Sequence, residues 1–209
     1  MRRARSSRGP ASSIRRILRC VRASGMMPAV KLEIPIIETP RLVLRPLAED
    51  DVEPLHGLMQ EPEVLRYIGD RQVPTLEEVW RAVAGWLGHW ALRGCGQWAV
   101  DEKASGRVIG RMGIINPAGW PGPEVGYLLG KEFWGRGYAT EGARAALDWG
   151  FEHRDFEELI SLIDPENVAS VGVAAKLGET LRRETELRGH RVLVYGISRS
   201  EWESRQPPP

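Results

Sequence analysis

One stretch of ten residues, K-E-F-W-G-R-G-Y-A-T from Lys131 to Thr140, constrains this chain more than any other. It separates a strand-like segment, Glu124–Leu129 (E-V-G-Y-L-L), from a helical pattern over Tyr138–His153. Gly135 and Gly137 lack a Cβ, so the backbone there can come close to a ligand. The helix that follows offers unpaired N–H groups and the positive end of its dipole, which suits a phosphate or pyrophosphate. Ala139, Ala143, Ala146 and Gly150 recur at helical spacing and let the helix lie close against a sheet. Taken alone, the stretch reads equally well as a tight turn without a ligand. Two common nucleotide motifs fit it poorly. No G-x-x-x-x-G-K-[ST] string occurs, and the dinucleotide fingerprint G-x-G-x-x-G loses its third glycine to Thr140, although Glu158 follows about 20 residues on.

The rest of the chain alternates between the two periods. Strands are predicted over Arg41–Leu47, Gln97–Asp101, Arg107–Ile115, Glu124–Leu129, Glu158–Ile163, Leu181–Leu187 and Arg191–Arg199. A helix begins at the acidic run Glu49–Asp51, with Val52, Leu55, Leu58 and Met59 on its inner face. Residues 61–74, with Pro62, Gly69 and Pro74, read as a broken connection. Thr75 and Glu78 form a capping box for a helix that carries Trp80, Trp86 and Trp90, read as core residues, and that ends by Gly94. A last helix is capped by Asn167 and stopped by Gly178. Antiparallel strands therefore precede a single β-α-β unit, whose crossover is right-handed. A dinucleotide fold would repeat that unit. Where such a sheet changes from antiparallel to parallel, a ligand crevice forms.

Charge is uneven. Residues 1–26 hold eight arginines and no acid, leaving 21 basic and 28 acidic residues in the remainder. That acidic balance argues against nucleic acid as a partner. No run of about 18 apolar residues occurs, so no membrane span is expected. Residues 1–30 are predicted to be a disordered arginine-rich segment, read either as upstream sequence before a start at Met26 or Met27, or as a transit peptide. Cys20 and Cys95 are the only cysteines, and Cys20 lies in that segment, so a reducing, cytoplasmic setting without disulfides is expected. His56, His89, His153 and His190 show no metal-ligand spacing.

Four segments in this order resemble the GNAT N-acetyltransferases, and more narrowly the branch that acetylates ribosomal-protein N-termini. They are ETPRLVLRPL at 38–47, EVGYLLGKEFWGRGYATEGARAALDWGF at 124–151, DPENVASVGVAAKLG at 164–178 and LVYGISRSEW at 193–202. The resemblance implies a mixed α/β fold over residues 31–205, with a mixed antiparallel/parallel sheet of about seven strands and helices on both faces. It implies acetyl-CoA as co-substrate and no metal. The pyrophosphate loop maps onto Trp134, Gly135, Arg136, Gly137, Tyr138, Ala139 and Thr140, with Trp134 where the family often has Gln or Arg. Tyr127, Leu128 and Leu129 would run along the pantetheine arm, with the Leu129 N–H polarising the thioester carbonyl, and Asn167 would bond the arm from across the cleft. Three positions depart from the family pattern: Gly172 replaces a basic residue, Ala175 replaces a glutamate, and Glu179 replaces the aromatic or apolar residue that usually follows K-L-G.

The implied chemistry needs a base for the amine and a proton for the leaving thiolate. Glu124, at the start of the strand, is the candidate base. Many relatives supply a tyrosine as the acid, but none occurs between Phe156 and Val194, so Ser170 is the candidate, and it also reads as a plain helix-end serine. Cys95 is not marked as an acyl carrier. The expected acceptor is a primary amine that attacks directly in a ternary complex, in the first place a protein N-terminal α-amine; the alternatives are a small amine such as a polyamine or aminoglycoside, or a domain that binds acyl-CoA without catalysis. Residues 61–80, Trp120 and the Arg188–His190 turn should border the acceptor, and Asp70, Glu77 and Glu78 either attract a cationic amine or form a solvated face. A monomer or homodimer is expected.

Overall fold

The structure, a computed structural model, describes residues 32–205. The arginine-rich segment and Cys20 lie outside the described residues. Eight strands form one sheet: β1 (Ile37–Glu38), β2 (Leu42–Arg45), β3 (Gln97–Glu102), β4 (Arg107–Ile115), β5 (Glu124–Leu129), β6 (Glu158–Ile163), β7 (Thr180–Leu187) and β8 (His190–Ser198). Their order is β1-β2-β3-β4-β5-β6-β8-β7, and only β5 and β6 run parallel. The expected count was about seven. The eighth strand, β1, is two residues long, too short for alternation to reveal it. β2 is shorter than predicted because Pro46 has no N–H to extend the ladder.

Among the described residues, six α-helices accompany the sheet: α1 (Val52–Leu58), α2 (Pro62–Leu65), α3 (Leu76–Arg93), α4 (Tyr138–His153), α5 (Val168–Leu177) and α6 (Arg199–Glu203). α2 falls within the stretch read as a connection, with Pro62 at its first turn where a missing N–H costs nothing. α6 replaces the predicted end of the last strand, because Ser198 and Glu201 form a capping box there. Thr75 and Glu78 cap α3 in the same reciprocal way, and left-handed Gly94 ends it.

Helices cover both faces. α4 packs on one face through its small-residue stripe, against Met112 and Ile114 of β4. A Cβ at Gly150 would stand 2.4 Å from Ile114 Cδ1, so a larger residue there would have to push that side-chain end aside. α1 and the inner face of α3 build a second core on the opposite face, around Leu55, Val79, Val83 and Leu128. The tryptophans of α3 part company. Trp90 is buried edge-on to Trp98 and Trp149, a geometry worth about 0.5–1.5 kcal/mol per pair beyond burial. Trp80 is exposed and reaches Glu49, while Trp86 is half-buried over the Arg111 guanidinium.

Candidate active site

The sheet opens between β5 and β6. Their register is a single pair, Glu124↔Ile160, held by the Ile160 N–H donating to the Pro123 carbonyl at 2.9 Å. Beyond it the strands part. The Gly130 N–H donates to Ile109 of β4. Because N–H groups alternate sides along a strand, the Leu129 N–H points the other way, into the gap. A cavity of about 450 Å³ occupies the gap and is bordered by Tyr127, Leu128, Leu129, Asn167, Ser170 and the turn after β5.

That turn is built to expose backbone N–H groups. Gly135 and Gly137 sit at φ 72° and 80°, a left-handed conformation that costs other residues roughly 1–2 kcal/mol. Gly137 is the N-cap of α4 and supplies no side-chain cap, so the first N–H groups of the helix are free for a ligand. The turn is braced from the residue before β2: Arg41 Nη1 donates to the Arg136 carbonyl at 2.8 Å, and Arg41 Nε to Glu141 Oε2 at 2.6 Å. Trp134 folds back and donates to the Leu129 carbonyl at 2.8 Å. Trp134, Gly135, Gly137, Tyr138, Ala139 and Thr140 border the cavity. The Arg136 side chain does not, because it is drawn towards Glu102 and the Phe133 ring.

A second cavity, of about 250 Å³, adjoins the first, and the two share Tyr67, Ile68, Tyr127, Asn167, Ser170 and Val173. Glu124 lines it, with Trp120 Nε1 donating to Glu124 Oε2 at 2.6 Å. Burial pushes the Glu124 carboxyl up to about 6, while the Trp120 hydrogen bond and the Arg111 charge oppose that rise. Trp120 itself lies under the Arg188 guanidinium, 5.2 Å from its ring centroid, so the β7–β8 turn reaches this cavity only through Trp120, and Arg188, Gly189 and His190 do not line it. Of residues 61–80, Tyr67, Ile68 and Gly69 line it. The acids Asp70, Glu77 and Glu78 are engaged locally, with Gln72, Arg81 and the α3 cap.

At the junction, the Ser170 N–H caps on Asn167 Oδ1 at 3.1 Å, leaving the Nδ2 end of Asn167, a residue that lines both cavities, uninvolved in the cap. The Tyr127 hydroxyl donates to Ser170 Oγ at 3.1 Å, so the Ser170 proton is free to be given onward. The tyrosine missing after α5 thus has a counterpart on β5, which strand reading alone could not place beside Ser170. Cys95 is buried, and burial pushes its thiol up to about 11, so it carries no thiolate for acyl transfer.

Three groups escaped the sequence reading. Arg111 and Gln97 line the smaller cavity, joined by Arg111 Nη1 donating to Gln97 Oε1 at 2.9 Å. Glu179 is 4% exposed, with Oε1 3.0 Å from Ser161 Oγ and Oε2 unpartnered, and burial pushes its carboxyl up to about 7. Its departure from the K-L-G pattern was the only signal.

A family model described as an acetyltransferase (GNAT) domain matches residues 41–180. YkkB of Bacillus subtilis (strain 168) is 34% identical over 165 residues, 75% of this chain and 92% of that one. Among solved structures, an acetyltransferase from Agrobacterium tumefaciens str. C58 is similar with a TM-score of 0.70 and 32% identity, covering 82% of this chain and 99% of that one. RimL, the ribosomal L7/L12 α-N-protein acetyltransferase in complex with coenzyme A, has a similar fold, with a TM-score of 0.66 and 23% identity over 78% of this chain and 98% of that one.

Proposed function

The chain belongs to the GNAT acetyltransferase family, and we propose that residues 31–205 transfer an acetyl group from acetyl-CoA to an α-amine, in the first place that of a protein N-terminus, by direct attack in a ternary complex. Acetyl-CoA supplies the activated thioester. The free N–H groups from Gly135 to Ala139 would hold its pyrophosphate, and the inner edge of Tyr127–Leu129 its pantetheine arm, with the Asn167 amide opposite. The Leu129 N–H would receive the thioester carbonyl oxygen as charge builds there.

Glu124 takes the proton that the amine must lose. An α-amine titrates near 8 and a lysine- or polyamine-type amine near 10.4, so a base at about 6 stands much closer to the first. Ser170 gives its proton to the departing thiolate, and Tyr127 hydrogen-bonds behind it as the replenishing donor. The observation that carries this reading is the junction itself: the acid side chain lines both cavities, and the base lines only the one away from the glycine turn. The small volume beneath Trp120 and Arg188 favours a second reading, a small free amine as acceptor.

Thermal unfolding with acetyl-CoA at about 100 times its Kd should show ~2.7 kcal/mol of stabilisation, roughly a 5–10 °C rise in Tm. Glu124→Gln should keep that shift and lose about 10²–10⁴-fold in kcat. No shift would remove the cofactor assignment, and an unchanged kcat would remove Glu124 from the chemistry. Turnover of N-terminal peptides against free small amines separates the two acceptor readings.

A further inference from the structure

The smaller cavity contains a cationic side chain that no carboxylate of the described residues touches directly. Arg111 lines it, and its contacts are Gln97 Oε1 and the Trp86 ring, 4.4 Å from the guanidinium. Among the described residues no carboxylate lies within ion-pair range of it, and its Nε is buried without a partner. Glu124 acts on it only across a distance, and burial pushes the guanidinium down to about 10. Removing a guanidinium from water is costly unless something pairs with it.

Gln97 repeats the pattern. It is 0% exposed and lines the same cavity. Its Oε1 is fixed as the atom facing Arg111, because a guanidinium can only donate. Nε2 is therefore the free end, and it has no partner either. Two buried donors side by side on one cavity are exceptional, since buried polar groups are normally satisfied.

The sheet places these donors on the same face as the base. Gln97 pairs with Gly113 and Glu124 with Ile115, and Arg111, Gly113 and Ile115 share one face of β4. Gly126 lies between Glu124 and Leu128 and leaves the floor there without a side chain. The cavity thus has a carboxylate at one end and donors awaiting an acceptor at the other.

We infer that the amine accepted by this site carries a carboxylate beside it, docked on Arg111 and the Gln97 amide. The inference rests on the acetyl-transfer reading of the same cavity and adds the acceptor's class. A carboxylate has two acceptor oxygens in a plane and no donor, so it satisfies both buried groups without displacing either. Its amine then lies towards Glu124, which takes the proton. A polyamine would instead bring a second cation against Arg111. The carboxylate is the α-carboxylate of a free amino acid or the side chain of an acidic first residue in a peptide.

The test compares acceptors that differ in that charge, with kcat/KM expressed per free amine because amidation also makes the neighbouring amine less basic. Glycine, alanine and methionine are paired with their amides, and amidated tripeptides beginning with Asp are paired with those beginning with Asn. The acid member of one set should be preferred by about 10- to 100-fold in kcat/KM, as expected for a charge-assisted bond. The set that shows the preference identifies the carboxylate's source. Arg111→Gln should reduce that ratio to below about threefold, while Tm in acetyl-CoA confirms a folded protein. Equal use of acid and neutral members in both sets, or an equal loss on both in the variant, overturns the inference. If no amine is turned over, the acetyl-transfer reading fails instead, and Tm of the CoA-saturated protein decides this one. A rise with the same amino acids or Asp peptides, absent with their neutral partners and in Arg111→Gln, supports it. No difference overturns it.

Discussion

Replacing Trp120 with Phe tests how the site holds its base. The indole donates to Glu124 Oε2 at 2.6 Å, and the ring supports Arg188 from the other side. Phenylalanine keeps a ring for Arg188 and removes only the donor. A hydrogen bond to an ionised group contributes about 1.5–3 kcal/mol, and each pKa unit corresponds to ~1.36 kcal/mol. The lost bond favoured the charged form, so its removal raises the Glu124 carboxyl from about 6 by about 1–2 units. Glu124 is half-buried, which places the shift towards the lower end. The base must be ionised, so the acid limb of kcat/KM against pH moves up by the same amount. At pH 6.5 the variant should be roughly 3- to 25-fold slower on this account, and near pH 9 the difference should close. The assay follows release of the CoA thiol from pH 5 to 9.5. An unmoved limb would show that Trp120 does not stabilise the Glu124 anion, and a wild-type profile with no limb near 6 would dismiss Glu124 as the base.

Ser170→Ala should lower kcat by about 10²-fold and leave the acetyl-CoA stabilisation in place; an unaltered kcat refutes the proton-donor role. Glu179→Gln should stabilise the fold above neutral pH. The folded carboxyl holds its proton to about 7 while the unfolded chain releases it near 4.5, so wild-type stability falls as pH rises between those values. The variant should therefore gain on the order of 2–3 kcal/mol at pH 8 and little at pH 4.5, read from denaturant unfolding, and a pH-independent difference would contradict the linkage.

Local rules made the frame legible. The bounds of α4 and β5 follow from a glycine N-cap and from alternation, and Thr75 with Glu78 marks the start of α3 within its own few residues. β1 and α2 escaped because two or four residues carry no measurable period. The glycine turn was readable because all its parts are contiguous. The acid–base surroundings were not, since Tyr127 meets Ser170, and Gln97 meets Arg111, only through sheet register and the placement of α5. The Arg136 side chain shows the same limit: its place in the motif gives no sign of Glu102, which the β3–β4 hairpin brings near it.

The parting of β5 and β6 gives this protein a pair of sheet edges in its own middle. Outer edges are hazards that chains blunt with charge or brevity, because any extended peptide can add to them. The inner edge at Leu129 lines a cleft bordered by Tyr67, Ile68, Asn167 and Val173. A slender arm can thread that cleft and take up the place of a missing strand, while a whole strand flanked by its own neighbours cannot. The fold can therefore keep strand-like hydrogen-bonding capacity permanently on offer without inviting its own copies to polymerise along it.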